Sequence, residues 1–343
     1  MPKYIYLSLI IGLISCTEKV KESALNPTNS IIELSEKKIT LEKDSITIDI
    51  IGVVDGHNVD DFLLLRSLEF RNSFLIYRND DFKYCGKIFD YGQGPKEYLN
   101  LSTQAQYFID SKDDIYLWTS DATQGKLRLT NLSSYLKDST IHYEKEYKLP
   151  SGLFNIYYIN DSLIIGDFFN GTNSHYVSYN LHNRKIDLLF KFFKDDLTSN
   201  DITSTSSAAT LKPDDSMVAY AMLFYNQIII SSLDGSTVHS FSIGEPVQSE
   251  TVIQNKNSYD YFSQIISTNN QIWTLYQGVY AEQRESIDYC STVLVFDWEG
   301  HLLYEFDMGK NLSTFFFNKD KKVLFGLGVD EILYQYNIEN FIE

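Results

Sequence analysis

Adjacent carboxylates are the most frequent pattern in the sequence that could do chemistry. Five Asp-Asp pairs occur, at Asp60-Asp61, Asp80-Asp81, Asp113-Asp114, Asp195-Asp196 and Asp214-Asp215. Such pairs can bind Ca²⁺ or take part in acid–base catalysis, but a Ca²⁺ loop of the DxDxDG type needs ligands at alternate positions, and no pair belongs to one. Most pairs lie just before an apolar run, where Asp stabilises tight turns. The pairs therefore predict turns rather than a metal or catalytic site.

The histidines and serines show no catalytic or metal-binding spacing. The six histidines are scattered, without the HxH or HExxH pattern that brings two ligands to one metal ion: His57, His142, His175, His182, His239 and His301. No GxSxG sequence surrounds a nucleophilic serine. The stretch from Ser231 to Ser236 has the composition of a sialidase-type box but the wrong spacing. We therefore predict no metal site, no cofactor and no catalytic residue.

A glycine-rich stretch, Gly92-Gln93-Gly94-Pro95-Lys96-Glu97-Tyr98, is the strongest local motif. Neither a Lys-Ser/Thr pair nor an amphipathic helix follows it, which argues against a phosphate-binding loop or a dinucleotide site. Gly92 and Gly94 permit a tight turn, and Pro95 removes a backbone donor where a strand ladder stops. The motif favours a structural passage between two sheets; the alternative is a ligand-binding role for Glu97 or Tyr98.

The composition is that of a single large β domain. Tyr (25) and Phe (22) dominate the aromatic residues, and no apolar pattern at helical spacing persists beyond a turn or two. Acidic residues outnumber basic ones by 46 to 29, which gives a net charge of −17. This charge repels phosphate backbones and no basic stripe offsets it, so we expect no nucleic-acid binding.

A repeat of polar turn and apolar strand runs through the chain. The strand after the turn is marked, at intervals of 41 to 55 residues, by Phe74, Ile115, Leu163, Met217, Ile272 and Val323. Four short strands with their turns need about 40 to 50 residues, which is the size of a propeller blade. Six marks predict an all-β, six-bladed β-propeller with four-stranded antiparallel blades.

The two ends of the chain are predicted to close the ring. Alternating apolar residues between Lys38 and Ile50 suggest a strand without a nearby partner, and the last unit, from Val323 to Ile338, is one strand short. Pairing the two hides an otherwise exposed sheet edge. We therefore expect an N-terminal strand to join the last blade.

Three tryptophans and two cysteines have alternative readings in a propeller. Trp118, Trp273 and Trp298 could form a glycan platform, but aromatic residues near the turns of a propeller more often pack blade against blade, which we expect here. Cys85 and Cys290 are predicted to be small buried residues. Two cysteines cannot form a disulfide framework and these two need not be neighbours, so no bridge is expected.

The N-terminus has the pattern of a secretion signal. Lys3 precedes an apolar run from Tyr4 to Ile14, which is too short to span a bilayer but suits the core of a signal peptide. The run ends at Leu13-Ile14-Ser15-Cys16, which resembles the lipobox of bacterial lipoproteins, whose cysteine is lipidated. We predict a signal peptide over residues 1–15, a lipidated Cys16 with a flexible tether over residues 16–35, and the propeller over residues 36–343.

Together, the lipobox, the glycine motif and the C-terminal unit resemble the TolB-like six-bladed propeller lipoproteins of the Bacteroidota. Gly92 to Tyr98 is similar to their GxGPxE(F/Y) signature, whereas Gly326-Leu327-Gly328 departs from the longer polar insert often found there. The resemblance implies a cell-envelope lipoprotein held at the outer membrane by its N-terminal lipid, and it carries over no catalytic residue. Whether the protein faces the periplasm or the cell surface stays open.

Two classes of function are compatible with the sequence. The first is a non-catalytic lipoprotein whose propeller face binds a nutrient or a protein partner, such as an outer-membrane importer or another envelope protein. The second is a propeller hydrolase or lyase that acts on a glycan or lactone. Propellers host both classes, so the fold alone does not decide. The lack of a nucleophile motif and of clustered metal ligands favours the first class.

Replacing Cys16 by alanine is expected to release the protein from the membrane, because acyl chains supply about 0.8 kcal/mol of membrane affinity per buried methylene. Cell fractionation should place the wild-type protein with the membranes and the variant in the soluble envelope fraction. A soluble wild-type protein whose signal is removed at another bond would contradict the lipid anchor.

Overall fold

The computed structural model consists of six small β-sheets arranged in a ring, the predicted six-bladed propeller. It describes residues 25, 30–48, 52–171, 174–192, 206–248, 252, 259–284, 286–319 and 321–342. The predicted signal peptide (residues 1–15), Cys16 and Asp195-Asp196 lie outside these ranges. Three short strands precede the blades: β1 (Ser30–Ile32), β2 (Ile39–Thr40) and β3 (Lys43–Ile46).

The first three blades follow one another along the chain. Blade 1 contains β4 (Val53–Val59), β5 (Phe62–Ser67), β6 (Ser73–Arg78) and β7 (Tyr84–Ile88). Blade 2 contains β8 (Leu101–Ser102), β9 (Tyr107–Ile109), β10 (Ile115–Asp121), β11 (Lys126–Asn131) and β12 (Tyr143–Lys148). Blade 3 contains β13 (Leu153–Asn160), β14 (Leu163–Phe169), β15 (Ser174–Asn180) and β16 (Ile186–Lys191).

The last three blades complete the ring. Blade 4 contains β17 (Ser207–Leu211), β18 (Met217–Met222), β19 (Gln227–Ser232) and β20 (Val238–Ile243). Blade 5 contains β21 (Tyr259–Ser267), β22 (Gln271–Tyr280), β23 (Thr292–Asp297) and β24 (Leu302–Asp307). Blade 6 contains β25 (Leu312–Asn318), β26 (Val323–Gly328) and β27 (Leu333–Asn337).

The core lies between the blades. The described residues form six buried apolar clusters, and each cluster joins two neighbouring blades. The middle strands are therefore covered on both faces, which explains their continuous apolar runs, such as Ile228 to Ile230 in β19. The outer strand β12 alternates instead between half-buried and exposed residues. All three tryptophans are buried, as expected for blade packing.

Ring closure follows the prediction. Strand β3 pairs antiparallel with β27, with Ser45 opposite Tyr334, and supplies the missing fourth strand of blade 6. The rest of the N-terminal segment differs from the expectation. Strands β1 and β2 add as parallel fifth strands to the outer edges of blades 4 and 5. Ile39 therefore lies on blade 5 rather than on the closing blade.

Residues 30–48, here called the N-terminal strap, place apolar side chains in successive seams between blades. Ile32 and Leu34 pack against the cluster of blades 4 and 5, Leu41 is buried between blades 5 and 6, and Ile46 packs between blades 6 and 1. Leu25 is buried between blades 3 and 4 and its amide donates to the carbonyl of Phe192 at 3.0 Å. Contact with the propeller thus begins before the predicted boundary at residue 36.

Three further expectations need correction. Phe74 lies in the third strand of its blade, whereas the other five repeat marks lie in second strands; Phe62 in β5 is the equivalent position. Cys85 and Cys290 are exposed free thiols rather than buried residues, because Cys85 lies on the outer strand β7 and Cys290 lies in the loop before β23.

A short α-helix lies between two strands of blade 2. Helix α1 (Leu132–Asp138) begins at Asn131, whose side chain accepts from the amide of Ser134, and it buries Leu132 against blade 1. No helix in the described ranges is long and apolar enough to cross a membrane.

Replacing Leu41 by alanine is expected to lower the free energy of unfolding by about 2 to 4 kcal/mol, because it leaves a cavity between two blades. Leu41 is 6% exposed, whereas Ile39 is 39% exposed, so Ile39→Ala is a matched control with a loss of less than about 1 kcal/mol. Denaturant unfolding measures both values. Equal losses would contradict the role of the strap in filling the seams.

Candidate functional site at the central channel

The innermost strands of all six blades line a central channel. Its wider end is a cavity of about 570 Å³ at the face where each innermost strand turns into the second strand, here called the turn face. The opposite face, where the chain passes from one blade to the next, is here called the loop face. Because every blade contributes to the cavity, its residues come from distant parts of the sequence and form no linear motif.

One wall of the cavity is aromatic. The Trp118 ring stacks on Tyr158 at 4.0 Å between centroids, which joins blades 2 and 3. Phe108 stacks with one face on Tyr116 at 5.0 Å, and it remains 46% exposed. Tyr107 beside it is also exposed. Strand β9 therefore presents aromatic surface at the mouth of the channel.

A carboxylate fixes the outer part of this wall. Asp161 accepts hydrogen bonds from the hydroxyls of Tyr147 (3.0 Å) and Tyr158 (2.5 Å) and pairs with Lys145. Lys145, Tyr158 and Tyr147 together lower the pKa of Asp161 to about 2. The group is ionised at any physiological pH and holds the two phenol rings in position.

Side-chain amides join the innermost strands, which have no backbone partner across the channel. The Gln106 amide donates to the Tyr158 carbonyl at 2.5 Å, and its oxygen accepts from the Tyr158 amide at 2.8 Å. Gln264 in blade 5 likewise accepts from the amide of Phe315 in blade 6 at 2.8 Å. Gln106 occupies the gap between β8 and β9, where the innermost strand of blade 2 is interrupted.

The wall formed by blade 1 contains an acid–base pair. Nε2 of His57 lies 3.2 Å from Oδ2 of Asp55, and an Arg66 nitrogen lies 3.6 Å from the same oxygen. Burial would raise the pKa of Asp55, but His57 and Arg66 outweigh it and hold the pKa below its ordinary value. The Asp-x-His spacing on one strand is a sequence signal, because residues two apart share a face.

A second carboxyl lies behind the wall of blade 3. Asp167 is buried, its Oδ2 accepts from Nδ2 of Asn155 at 2.7 Å, and Asn155 Oδ1 in turn lies 3.4 Å from the Gln104 amide nitrogen. Burial raises the pKa of Asp167 to about 7, although Asn155 and Tyr220 act to lower it. The sequence signal was a lone charge in the apolar run from Leu163 to Phe169.

Charged side chains of both signs lie at the rim of the cavity. Lys212 and Lys319 line the cavity together with Asp215. Lys212 lies 5.7 Å from the Trp298 ring and 3.5 Å from Asp214. Burial raises the pKa of Asp215 above its ordinary value. The mouth is therefore less acidic than the protein as a whole, whose charge is −17.

The glycine motif lies at the loop face, away from the cavity. The Glu97 carboxylate accepts from the amide of Gly94 at 2.7 Å, and a Cβ on Gly92 would lie 1.9 Å from the same carboxylate. The carboxylate end of the flexible Glu97 side chain occupies the space beside both glycines. Glu97 thus closes its own loop, on the passage from blade 1 to blade 2.

Tyr98 of the same motif is buried beneath the only fully buried arginine of the described residues. Its hydroxyl lies 2.8 Å from Oγ1 of Thr119, and the Arg128 guanidinium lies 4.7 Å from its ring centre. Arg128 donates to the carbonyls of Pro95 (2.9 Å) and Glu97 (3.1 Å). The sequence candidates Glu97 and Tyr98 are therefore engaged within the loop rather than brought to the cavity.

The remaining sequence candidates are dispersed. Four of the five Asp-Asp pairs lie in turns between strands. Of the histidines, only His57 lines the cavity. No group of three or more potential metal-ligating side chains occurs within the described ranges.

The Asp167→Asn variant is expected to change how stability depends on pH. Because the folded-state pKa lies near 7 and the ordinary value is 3.8, the stability contributed by neutral Asp167 is present at low pH and is lost as the pH rises through this window. The stability of wild type relative to the variant should fall by about 1.4 kcal/mol per pH unit between these values. Asp187→Asn, at an exposed site of the same blade, is the control and should follow the wild-type pH profile. If the free energy of unfolding of Asp167→Asn, measured in denaturant, changes with pH in parallel with that of wild type, the raised pKa of Asp167 is contradicted.

The fold is similar to solved structures from Bacteroides. A member of the DUF4221 family from Bacteroides vulgatus ATCC 8482 has a TM-score of 0.59 and 10% identity, covering 88% of this chain and 97% of its own. A Bacteroides fragilis NCTC 9343 protein inferred to be exported has a TM-score of 0.59 and 17% identity, covering 90% and 100%. No family model and no curated protein sequence matches the chain. At these identities the similarity shows the propeller fold alone, and the relation to TolB-like lipoproteins stays a prediction.

Proposed function

We propose that the protein is a non-catalytic ligand-binding protein of the bacterial cell envelope, which takes up a small polar molecule with an apolar face, such as a sugar ring, in the channel cavity. The observation that carries this proposal is the cavity itself. Its volume of about 570 Å³ falls within the range of small-molecule sites, about 300 to 1,000 Å³, and it combines aromatic walls with a few polar groups.

The two sides of the cavity match such a ligand. Phe108 and Tyr107 offer exposed ring faces on blade 2, and Gln264 of blade 5 and Lys319 of blade 6 supply polar groups on other walls of the cavity. A sugar presents C–H groups on its faces and hydroxyls at its edge, so it can contact both sides at once.

The cellular setting is part of the same proposal. Lipidation of Cys16 would hold the propeller at the outer membrane, and a structural relative from Bacteroides fragilis is inferred to be exported, which supports an envelope location. An outer-membrane importer is the partner that such a nutrient-binding lipoprotein would serve. Pull-down from detergent-solubilised membranes would recover it.

A hydrolase or lyase is the second candidate, and one observation favours it. His57 lines the cavity and lies 3.2 Å from Asp55, and a histidine oriented by a carboxylate can act as a general base on a bound glycan or lactone.

Calorimetric titration with a panel of glucose, galactose, N-acetylglucosamine, glucuronate and their disaccharides tests the proposal. We expect one class to bind, and Phe108→Ala to weaken its affinity about tenfold or more because burying a phenylalanine side chain against the ligand is worth roughly 1.5 to 3 kcal/mol. Phe70→Ala is the control, since Phe70 is 41% exposed at the loop face. Failure of the whole panel to bind would contradict the proposal, and turnover lost in His57→Gln would place the protein among enzymes.

A further inference from the structure

A chain of hydrogen bonds connects the cavity with the buried carboxyl of Asp167. The Tyr157 hydroxyl donates to the Gln104 side-chain oxygen at 3.2 Å, and both residues line the cavity. The Gln104 amide donates to Oδ1 of Asn155 at 3.4 Å, and the Asn155 amide donates to Oδ2 of Asp167 at 2.7 Å. Asp167 therefore reaches the cavity wall through two side-chain amides.

The backbone conformation at Asn155 directs its side chain into these hydrogen bonds. Asn155 has a φ of 45°, in the left-handed region that Asn tolerates better than most residues, and the strand pairing shifts between Phe154 and Tyr157. On the facing strand, a Cβ at Gly166 would lie 2.6 Å from the carbonyl oxygen of Phe154. A bulge of this kind re-aims a side chain, and such bulges are frequent beside functional sites.

The surroundings of Asp167 contain no compensating charge. The titratable groups that face it are Tyr157 from β13, Tyr176 from β15 and Tyr220 from β18, and burial raises the pKa of each well above its ordinary value, so all three are neutral. Within the described ranges no Lys or Arg pairs with Asp167. Its Oδ1 and the Tyr176 hydroxyl are buried without a good hydrogen-bond partner in the protein. Asp167 can therefore exchange a proton without breaking an ion pair.

We propose that Asp167 is a positioning residue for the channel cavity: the ionised carboxylate holds the Asn155 amide, Asn155 orients the Gln104 carboxamide, and uptake of a proton by Asp167 loosens this arrangement. A hydrogen bond to a carboxylate is about twice as strong as one to a neutral group. Gln104 is therefore fixed when Asp167 is ionised and freer to rotate when it is protonated. The effect on ligand affinity rests on the proposed function, whereas the coupling between Asp167 and Gln104 does not.

The coupling is tested without a ligand by following the Gln104 side-chain amide signals of the full chain by ¹H–¹⁵N NMR between pH 5 and pH 9. Their loss in Gln104→Ala assigns them. We expect one titration step close to neutral pH in wild type and none in Asp167→Asn. The Asn155→Gly variant tolerates the left-handed backbone and removes the relay together with the hydrogen bond from Asn155 Nδ2 to the Ser207 carbonyl, so its Gln104 signals should also lose the step. Gln104 signals that titrate unchanged in Asn155→Gly, or that are flat in wild type, would overturn the proposal.

Ligand affinity provides the second readout. For the saccharide of the panel that binds, affinity should fall roughly fivefold from pH 8 to pH 6 in wild type and stay level in Asp167→Asn, as expected for a difference of about one hydrogen bond. By linkage, saturating saccharide should shift the Gln104 titration to lower pH. If no saccharide of the panel binds, the proposed function is contradicted, and the NMR titration still decides whether Asp167 and Gln104 are coupled. If a saccharide binds with the same pH profile in wild type and Asp167→Asn, the positioning role of Asp167 is overturned and the proposed function stands.

Discussion

The structure depends on the burial of sheet faces between neighbouring blades. A four-stranded sheet with apolar residues on both faces cannot bury them alone, and each of the six buried clusters takes residues from two blades. The ring must therefore close for the first and last blades to be covered. Strand β3 closes it on β27. Four successive seams are filled by Leu25 and, from the N-terminal strap, by Ile32, Leu34, Leu41 and Ile46.

Closure of the ring leaves each innermost strand with one edge paired within its blade and one edge that faces the central channel. Gln106 and Gln264 satisfy part of this edge across blade boundaries with their side-chain amides. What remains open at the turn face is the cavity, so the proposed binding site results from the same geometry that holds the blades together.

The architecture was predictable from the sequence because it depends on local patterns that repeat along the chain. Polar turns before apolar strands marked the blades, and unpaired alternation near Ile46 indicated the closing strand. The cavity was not predictable, since Gln104, His57 and Asp167 come from three blades and acquire their roles only in the ring. Two local signals were nevertheless present: Asp55-x-His57 on one strand and Asp167 in an apolar run. The glycine motif made Glu97 and Tyr98 candidates for ligand binding. In the structure, the motif packs around Arg128, and the Glu97 carboxylate lies against Gly92.

The central claim is that the cavity at the turn face is where the protein binds its ligand. A crystal structure of the protein soaked with the saccharide that it binds in solution tests this most directly. We expect density for the ligand between the ring of Phe108 and the polar groups of Gln264 and Lys319, with one hydroxyl close to Gln104. Ligand density at the loop face or on the outer rim, with the cavity filled only by solvent, would contradict it.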